Sequence, residues 1–199
     1  MRSKIGILPV LVLLLIGAAL SASAQVTYSA EEGKQPFTVG AGVANFSDDW
    51  GIQNPRQIGL TIWVDWRPPF VPSVLHGLGI EFEGRTIQWA TPSYIPGHRM
   101  DTALFGPMYQ FRRHSRFRPY GKYLIGIGSI DFPNDTAYSH DTRTVFEPGG
   151  GADVRVWNRL SVRGEYNYQF WRQIFGPNDL TPNGFSFGAV YDFGLRSSK

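Results

Sequence analysis

The chain has no cysteine among its 199 residues, which excludes disulfide staples, thiolate nucleophiles and cysteine-ligated metals together. Its four histidines, His76, His98, His114 and His140, are scattered, and none has the close second ligand of a zinc site. Charge excess is also missing. The 19 basic residues face 16 acidic ones, and removal of Arg2 and Lys4 with the leader described below leaves 17 against 16. Nucleic acid is therefore not an expected partner, because that affinity rests on a basic surface. Beyond the first segment no apolar period near 3.6 residues is present, so amphipathic helices are not expected. No repeat, low-complexity stretch or composition shift divides the chain.

What is present starts with a leader. Arg2 and Lys4 precede an apolar run from Ile5 to Leu20, and Ala22-Ser23-Ala24 stands before Gln25. A charged start, a short apolar core and an A-x-A site predict a secretory signal peptide over residues 1–24. The run falls short of the ~20 residues that a spanning helix needs. Residues 25–199 are then one domain.

That domain is rich in glycine and aromatics and alternates with period two, the mark of strands. Eight segments are predicted. They are Phe37 to Phe46, about Ile58 to Arg67, Leu78 to Arg85, Thr102 to Arg112, Pro119 to Ile130, Val145 to Val156, Leu160 to Trp171, and Phe185 to Phe193. In the second, Ile58, Leu60, Ile62, Val64 and Trp66 alternate with Gly59, Thr61, Trp63, Asp65 and Arg67. In the seventh, Val162, Tyr166, Tyr168 and Phe170 oppose Ser161, Arg163, Glu165, Asn167 and Gln169.

The connections differ by side. Ser47–Gln57, Ala90–His98, Asp131–Thr142 and Gln173–Pro182 are polar loops rich in turn formers, whereas Arg113–Phe117 and Trp157–Arg159 are short; Arg67–Gly77 is long and rich in proline. Long loops at one end and mostly tight turns at the other suit an up-and-down antiparallel barrel, with loops outside the cell and both chain ends in the periplasm.

Alternation alone does not say which face is wet, since a soluble barrel buries its apolar face inside. Trp66, Phe111, Tyr166, Tyr168, Phe170, Tyr191 and Phe193 fall on the apolar faces, many near strand ends, as in the aromatic girdles of a membrane barrel. Glycines such as Gly40, Gly42, Gly126, Gly128, Gly149, Gly151 and Gly188 sit on the polar faces, where a narrow interior must spare bulk. The expectation is an all-β, eight-stranded antiparallel transmembrane barrel, integral to the bacterial outer membrane.

Three stretches carry a resemblance. Ser186 to Phe193 resembles the C-terminal insertion signal of outer-membrane barrels, with Ser186, Gly188, Tyr191 and Phe193 at its spacing. Arg118-Pro119-Tyr120 and Gly149-Gly150-Gly151-Ala152-Asp153-Val154-Arg155 are similar to the OmpA-type outer-membrane β-barrel superfamily. The resemblance spans roughly Pro36 to Phe193. It implies an eight-stranded barrel inserted by the outer-membrane barrel assembly machinery, surrounded by outer-membrane lipid, and here without a peptidoglycan-binding domain.

Eight strands enclose a space that side chains just fill. On these registers Asp65, Glu81, Glu83, Glu147, Asp153 and Glu165 meet Arg67, Arg85, Arg112, Lys122, Arg155 and Arg163 in or near the lumen. Unpaired, such charges would be costly, so a salt-bridged plug is expected rather than an open pore. Rearranged pairs forming a narrow ion path are the alternative.

The candidates for catalysis are Ser139-His140-Asp141 and Ser93 with His98. Neighbours on an extended chain point to opposite faces, so Ser139 and His140 are poorly placed to share a proton. No histidine-x-serine pair of the lipid A deacylase kind is present. Asp48-Asp49, Asn134-Asp135 and Asn178-Asp179 lack calcium-loop spacing and read as turn formers. The run Arg112-Arg113-His114-Ser115-Arg116-Phe117-Arg118 reads as a solvated turn, with lipid phosphate or peptidoglycan contact as its functional alternative. The sequence thus names no catalytic, metal or cofactor residue. It predicts a monomeric structural or surface-interaction barrel whose long loops meet an extracellular ligand. A narrow porin-like channel and a lipid-processing enzyme stand as rival readings.

Overall fold

The computed structural model describes residues 37–47, 49, 55–68, 77–91, 97–111, 116–132, 139–174 and 176–193, all within one compact unit, Lys34–Lys199. The predicted leader, Asp48, His76, Ser93, Arg112 to Ser115 and Asn134-Asp135 lie outside the described residues. Every regular element described is a strand: β1 (Phe37–Ser47), β2 (Arg56–Trp66), β3 (Leu78–Trp89), β4 (Arg99–Gln110), β5 (Phe117–Asp131), β6 (His140–Arg155), β7 (Leu160–Tyr168), β8 (Phe170–Ile174), β9 (Asn178–Leu180) and β10 (Asn183–Asp192).

Sequential strands pair antiparallel from β1 to β6, β7 pairs with both β6 and β10, and β10 pairs with β1. The sheet therefore closes. β8 continues β7 past Gln169, and β9 continues into β10 past residues 181–182, so the ten segments make eight barrel strands. Closure is what a membrane demands, because lipid cannot satisfy a free sheet edge. The seam ends on Phe193 N donating to Phe37 O at 2.9 Å.

The alternation of the sequence becomes two surfaces. Val43, Leu60, Phe82, Phe105, Ile127, Val162 and Phe187 are exposed, while Asp65, Glu81, Glu147, Asp153 and Arg163 are fully buried. A water-soluble barrel has the reverse arrangement. Aromatics face outward near both ends, with Tyr191 edge-on to Phe193 at one end and Tyr168 tilted on Phe170 near the other. The glycine positions reflect close approach inside. A Cβ on Gly128 would lie 2.2 Å from the Trp171 ring, and one on Gly149 would lie 2.1 Å from Asn167 Oδ1.

The stretch predicted as a loop over Gln173–Pro182 is a strand hairpin instead. Gln173 adopts φ 56°, and the register shifts between Trp171 and Ile174, so both side chains turn inward although they stand three apart. Asp179 holds the bend by accepting from Gln173 N at 2.9 Å. A second bulge near the end of β3 pairs Ile58 with Trp89 but Gly59 with Ile87, which sends Ile87 inward and Trp89 outward. β6 begins at His140 rather than near Val145, and β4 at Arg99 rather than Thr102.

Candidate functional site in the barrel lumen

The lumen is stratified. Near the end that carries Phe37 and Asp192, here the turn end, Arg67 donates to Thr38 Oγ1 at 2.9 Å and to Asp65 Oδ2 at 3.2 Å. Arg163, projecting from β7, reaches Asp65 at 2.7 Å, Glu81 at 2.9 Å and Asp153 at 2.8 Å. Its guanidinium also lies 4.9 Å from the Tyr120 ring and 5.5 Å from that of Trp63. Such multiple charge-assisted bonds offset the desolvation that a buried arginine suffers.

At mid-height the Lys122 ammonium meets Glu83 at 2.5 Å, Glu81 at 2.6 Å and Glu165 at 3.0 Å. Glu165 also accepts from Tyr120 Oη at 2.7 Å, Asn167 Nδ2 at 2.8 Å and Trp63 Nε1 at 3.0 Å. Oxygens of Glu81, Glu83 and Glu165 converge within 4.8 Å of one another, a spacing that would suit a metal ion. Lys122 holds that position with its own three donors, so the seat of positive charge is filled by a side chain.

Higher still, Arg85 pairs with Glu83 and donates to Glu147 at 2.8 Å. Gln169 donates to the same carboxylate, and Trp171 Nε1 donates to Gln169 Oε1 at 2.8 Å. Arg85 stacks 4.1 Å from the centre of the Phe46 ring, and there the chemistry changes. Above it lies a buried apolar cap built from Phe46, Ile87, Met100, Leu104, Leu124, Ile130, Trp171, Ile174 and Leu180. His98 sits in this region, bonded through Nδ1 to Gln57 at 3.0 Å and with its ring 4.6 Å from that of Phe132. Burial pushes its pKa down to about 4, against a smaller opposing pull from Asp131.

Of the twelve charged residues expected in or near the lumen, Arg112 lies outside the described residues, and ten of the other eleven, Asp65, Arg67, Glu81, Glu83, Arg85, Lys122, Glu147, Asp153, Arg163 and Glu165, are buried and joined by these bonds. Arg155 is not. It stands half-buried at the turn-end rim, where its carbonyl accepts from Arg116 Nε at 3.1 Å, and it pairs with no carboxylate among the described residues. The alternation is right, but Arg155 closes its strand and faces the opening. Arg118 takes the place that Arg155 was expected to fill. It is buried, donates to Ser161 at 2.6 Å, and lies 3.8 Å from Asp153 and 3.7 Å from Asp192. In the C-terminal stretch, Ser186 is buried, Gly188 lines the interior against Gly42, and Tyr191 and Phe193 face outward.

The loop candidates for chemistry are arranged differently from their chain order. Ser139 offers its carbonyl to Phe132 N, and Asp141 pairs with Arg143 at 3.0 Å. His140 instead bonds through Nδ1 to Asp131 on β5, and its Nε2 lies 3.1 Å from Thr142 Oγ1. Asp49 accepts from Thr181 N and Oγ1 at 3.2 and 2.5 Å, tying loop to loop.

A closed antiparallel barrel with lipid-compatible walls and an ionic interior defines an integral protein of the bacterial outer membrane. A family model, the outer membrane protein beta-barrel domain, matches residues 10–193, and the chain belongs to that family. Among solved structures, Neisserial surface protein A is similar at 16% identity and a TM-score of 0.61, over 79% of this chain and 97% of that one. Ail, the attachment invasion locus protein of Yersinia pestis, is similar at 14% identity and 0.50, over 78% and 95%. These likenesses are of fold. Comparison with curated proteins returns no match.

Proposed function

We propose that the protein works as a closed structural and surface-interaction barrel, whose lumen carries neither solute nor turnover and whose long loops meet an extracellular ligand. One observation carries this reading. Bonded side chains run without interruption from Arg67 through Arg163, Lys122 and Arg85 to Gln169 and Trp171, and an apolar cap lies over them. Passage of an ion requires several of these buried pairs to part at once, each parting leaving a charge unpaired in low dielectric. On this reading the ion network fixes the wall, the outward aromatics set the depth in the bilayer, and Ser186, Gly188, Tyr191 and Phe193 guide assembly. The protein acts as a monomer, delivered by the barrel assembly machinery.

The test is a planar-bilayer recording of the refolded protein. No unitary steps are expected at about 100 mV, a potential that supplies only about 2.3 kcal/mol per charge moved across the membrane. Stepped currents that change on Glu81→Gln, Glu83→Gln or Arg163→Gln would instead establish the narrow porin-like channel.

A further inference from the structure

We propose that Asp131, His140 and Thr142 form an ester-hydrolysing site on the outer wall of the barrel, directed at the acyl esters of membrane lipid. The site stands apart from the lumen and does not depend on whether the lumen conducts.

The order of atoms is what catalysis needs. Asp131 Oδ1 bonds to His140 Nδ1, and the opposite ring nitrogen, Nε2, lies 3.1 Å from Thr142 Oγ1. A carboxylate on Nδ1 fixes the tautomer that leaves Nε2 free to take a hydroxyl proton. The strands impose this order. Residues 140 and 142 share the outward face of β6 because alternate residues do, and Asp131 is the register partner of His140 on β5. The trio is open to its surroundings, with the side chain of His140 58% exposed and that of Asp131 40% exposed.

Its height on the wall matches an ester. On β5 the outward Tyr123, Ile125 and Ile127 are exposed apolar residues, followed by Ser129 and Asp131. On β4 the outward Phe105 and Ala103 give way to Asp101 and Arg99, an ion pair of 2.6 Å. Thr142 pairs in register with Ser129, and His140 with Asp131, so the trio occupies the first two polar rows above the apolar band. The ester linkages of lipids lie at this junction of hydrocarbon and headgroup layers.

A place for an acyl chain lies on the neighbouring strands β2 to β4 of the same wall. A groove of about 300 Å³ in the lipid-facing wall is lined by Ile62, Val64, Phe82, Gly84, Ala103 and Phe105. Gly84 and Ala103 pair in register and lack bulk, which makes the dent. Ala103 pairs with Ile127, and Ile127 with Thr144, so the near edge of the groove stands two strands along the wall from Thr142, about 10 Å at the usual strand spacing, and one outward row lower in register.

The reaction is acyl transfer to water. Thr142 Oγ attacks the ester carbonyl carbon while His140 Nε2 takes its proton, and Ser129, opposite Thr142 on the same face, is the hydroxyl placed to donate to the oxyanion. Collapse breaks the bond to the alcohol oxygen, which leaves with the proton from His140. Water, deprotonated by the same nitrogen, then attacks the acyl-threonine and releases a carboxylic acid with Thr142 restored. Asp131 acts as a positioning residue through His140.

The test uses the refolded protein in mixed micelles with dipalmitoyl glycerophospholipid and, separately, purified lipopolysaccharide, with released fatty acid as the readout. A fluorophosphonate probe, located by peptide mass spectrometry, reports the nucleophile. Release of fatty acid from either substrate and labelling at Thr142 are expected, and the substrate that turns over tells which lipid supplies the ester. Thr142→Val and His140→Gln each lower turnover about 100-fold or more, as does Asp131→Asn, whereas Thr142→Ser retains it. Thr144→Val, one row lower on the same face, leaves turnover unchanged. All five variants keep the heat-modifiable gel shift of the folded barrel, since these side chains face outward. No fatty acid from either lipid, or turnover that survives Thr142→Val, overturns the proposal and leaves the trio a polar pairing.

Discussion

The lower and upper parts of the lumen solve one problem by opposite chemistry. Below, Arg163 and Lys122 fill space with charge, each answered by three carboxylates within 3.0 Å. Above, Phe46, Leu124, Trp171 and their neighbours fill it with hydrocarbon. A charged filling holds its shape by geometry, because each donor has a required direction. An apolar filling holds by volume and tolerates rearrangement of equal size. The lower part is thus the stiffer specification of the barrel's cross-section, and the upper part the more adaptable seal.

Breaking the lower part should have the largest effect. Arg163→Met leaves Asp65, Glu81 and Asp153 short of a common partner and is expected to cost about 3–5 kcal/mol, read as a lower urea midpoint for loss of the heat-modifiable band in micelles. A fall no larger than a surface substitution would show that water enters and solvates those carboxylates. In the cap, Leu124→Ala removes buried methyl groups and should cost about 2–4 kcal/mol by the same assay, with Leu124→Met nearly neutral. Equal sensitivity to both substitutions would erase the distinction in tolerance.

The third prediction concerns the titratable group of the cap. His98 has a folded pKa of about 4 against an ordinary value of 6.5, so the unfolded chain binds the extra proton between them. Stability from neutral burial is fully present above pH 6.5 and is lost as pH falls toward 4, a change on the order of 2 kcal/mol. His98→Gln should flatten that slope. An unchanged slope in the variant would place the pH dependence elsewhere.

Much of this division could be read before the fold was known, and some could not. Period two assigned Glu81, Glu83, Arg163 and Glu165 to one surface, because a strand sends alternate residues the same way. Arg118 escapes because the alternation marks its strand only from about Pro119, whereas β5 begins at Phe117 and turns Arg118 inward. The cap left a fainter trace. Where inward positions are apolar too, alternation vanishes, as in Tyr123-Leu124-Ile125 and Ala103-Leu104-Phe105. Trp171 and Ile174 were harder still, because a bulge at Gln173 breaks the count. The outer-wall trio is hidden because its members are not chain neighbours. Its members stand two apart on β6 and across a strand pair from β5, a register that one sequence does not disclose.

The bonds of Arg163 also bear on how the barrel comes into being. Arg163 and its acceptor Asp65 lie 98 residues apart, and Lys122 and Glu81 lie 41 apart. Contacts of such separation form slowly, because distant chain segments must meet before any bond rewards them. In an open sheet the charges of β2, β3, β5 and β7 line one face without their cross-lumen partners, so partial curling gains little from them. Most of that network becomes available only when β10 meets β1. Insertion should accordingly proceed as a late, concerted closing, with few half-zipped states surviving long enough to be seen.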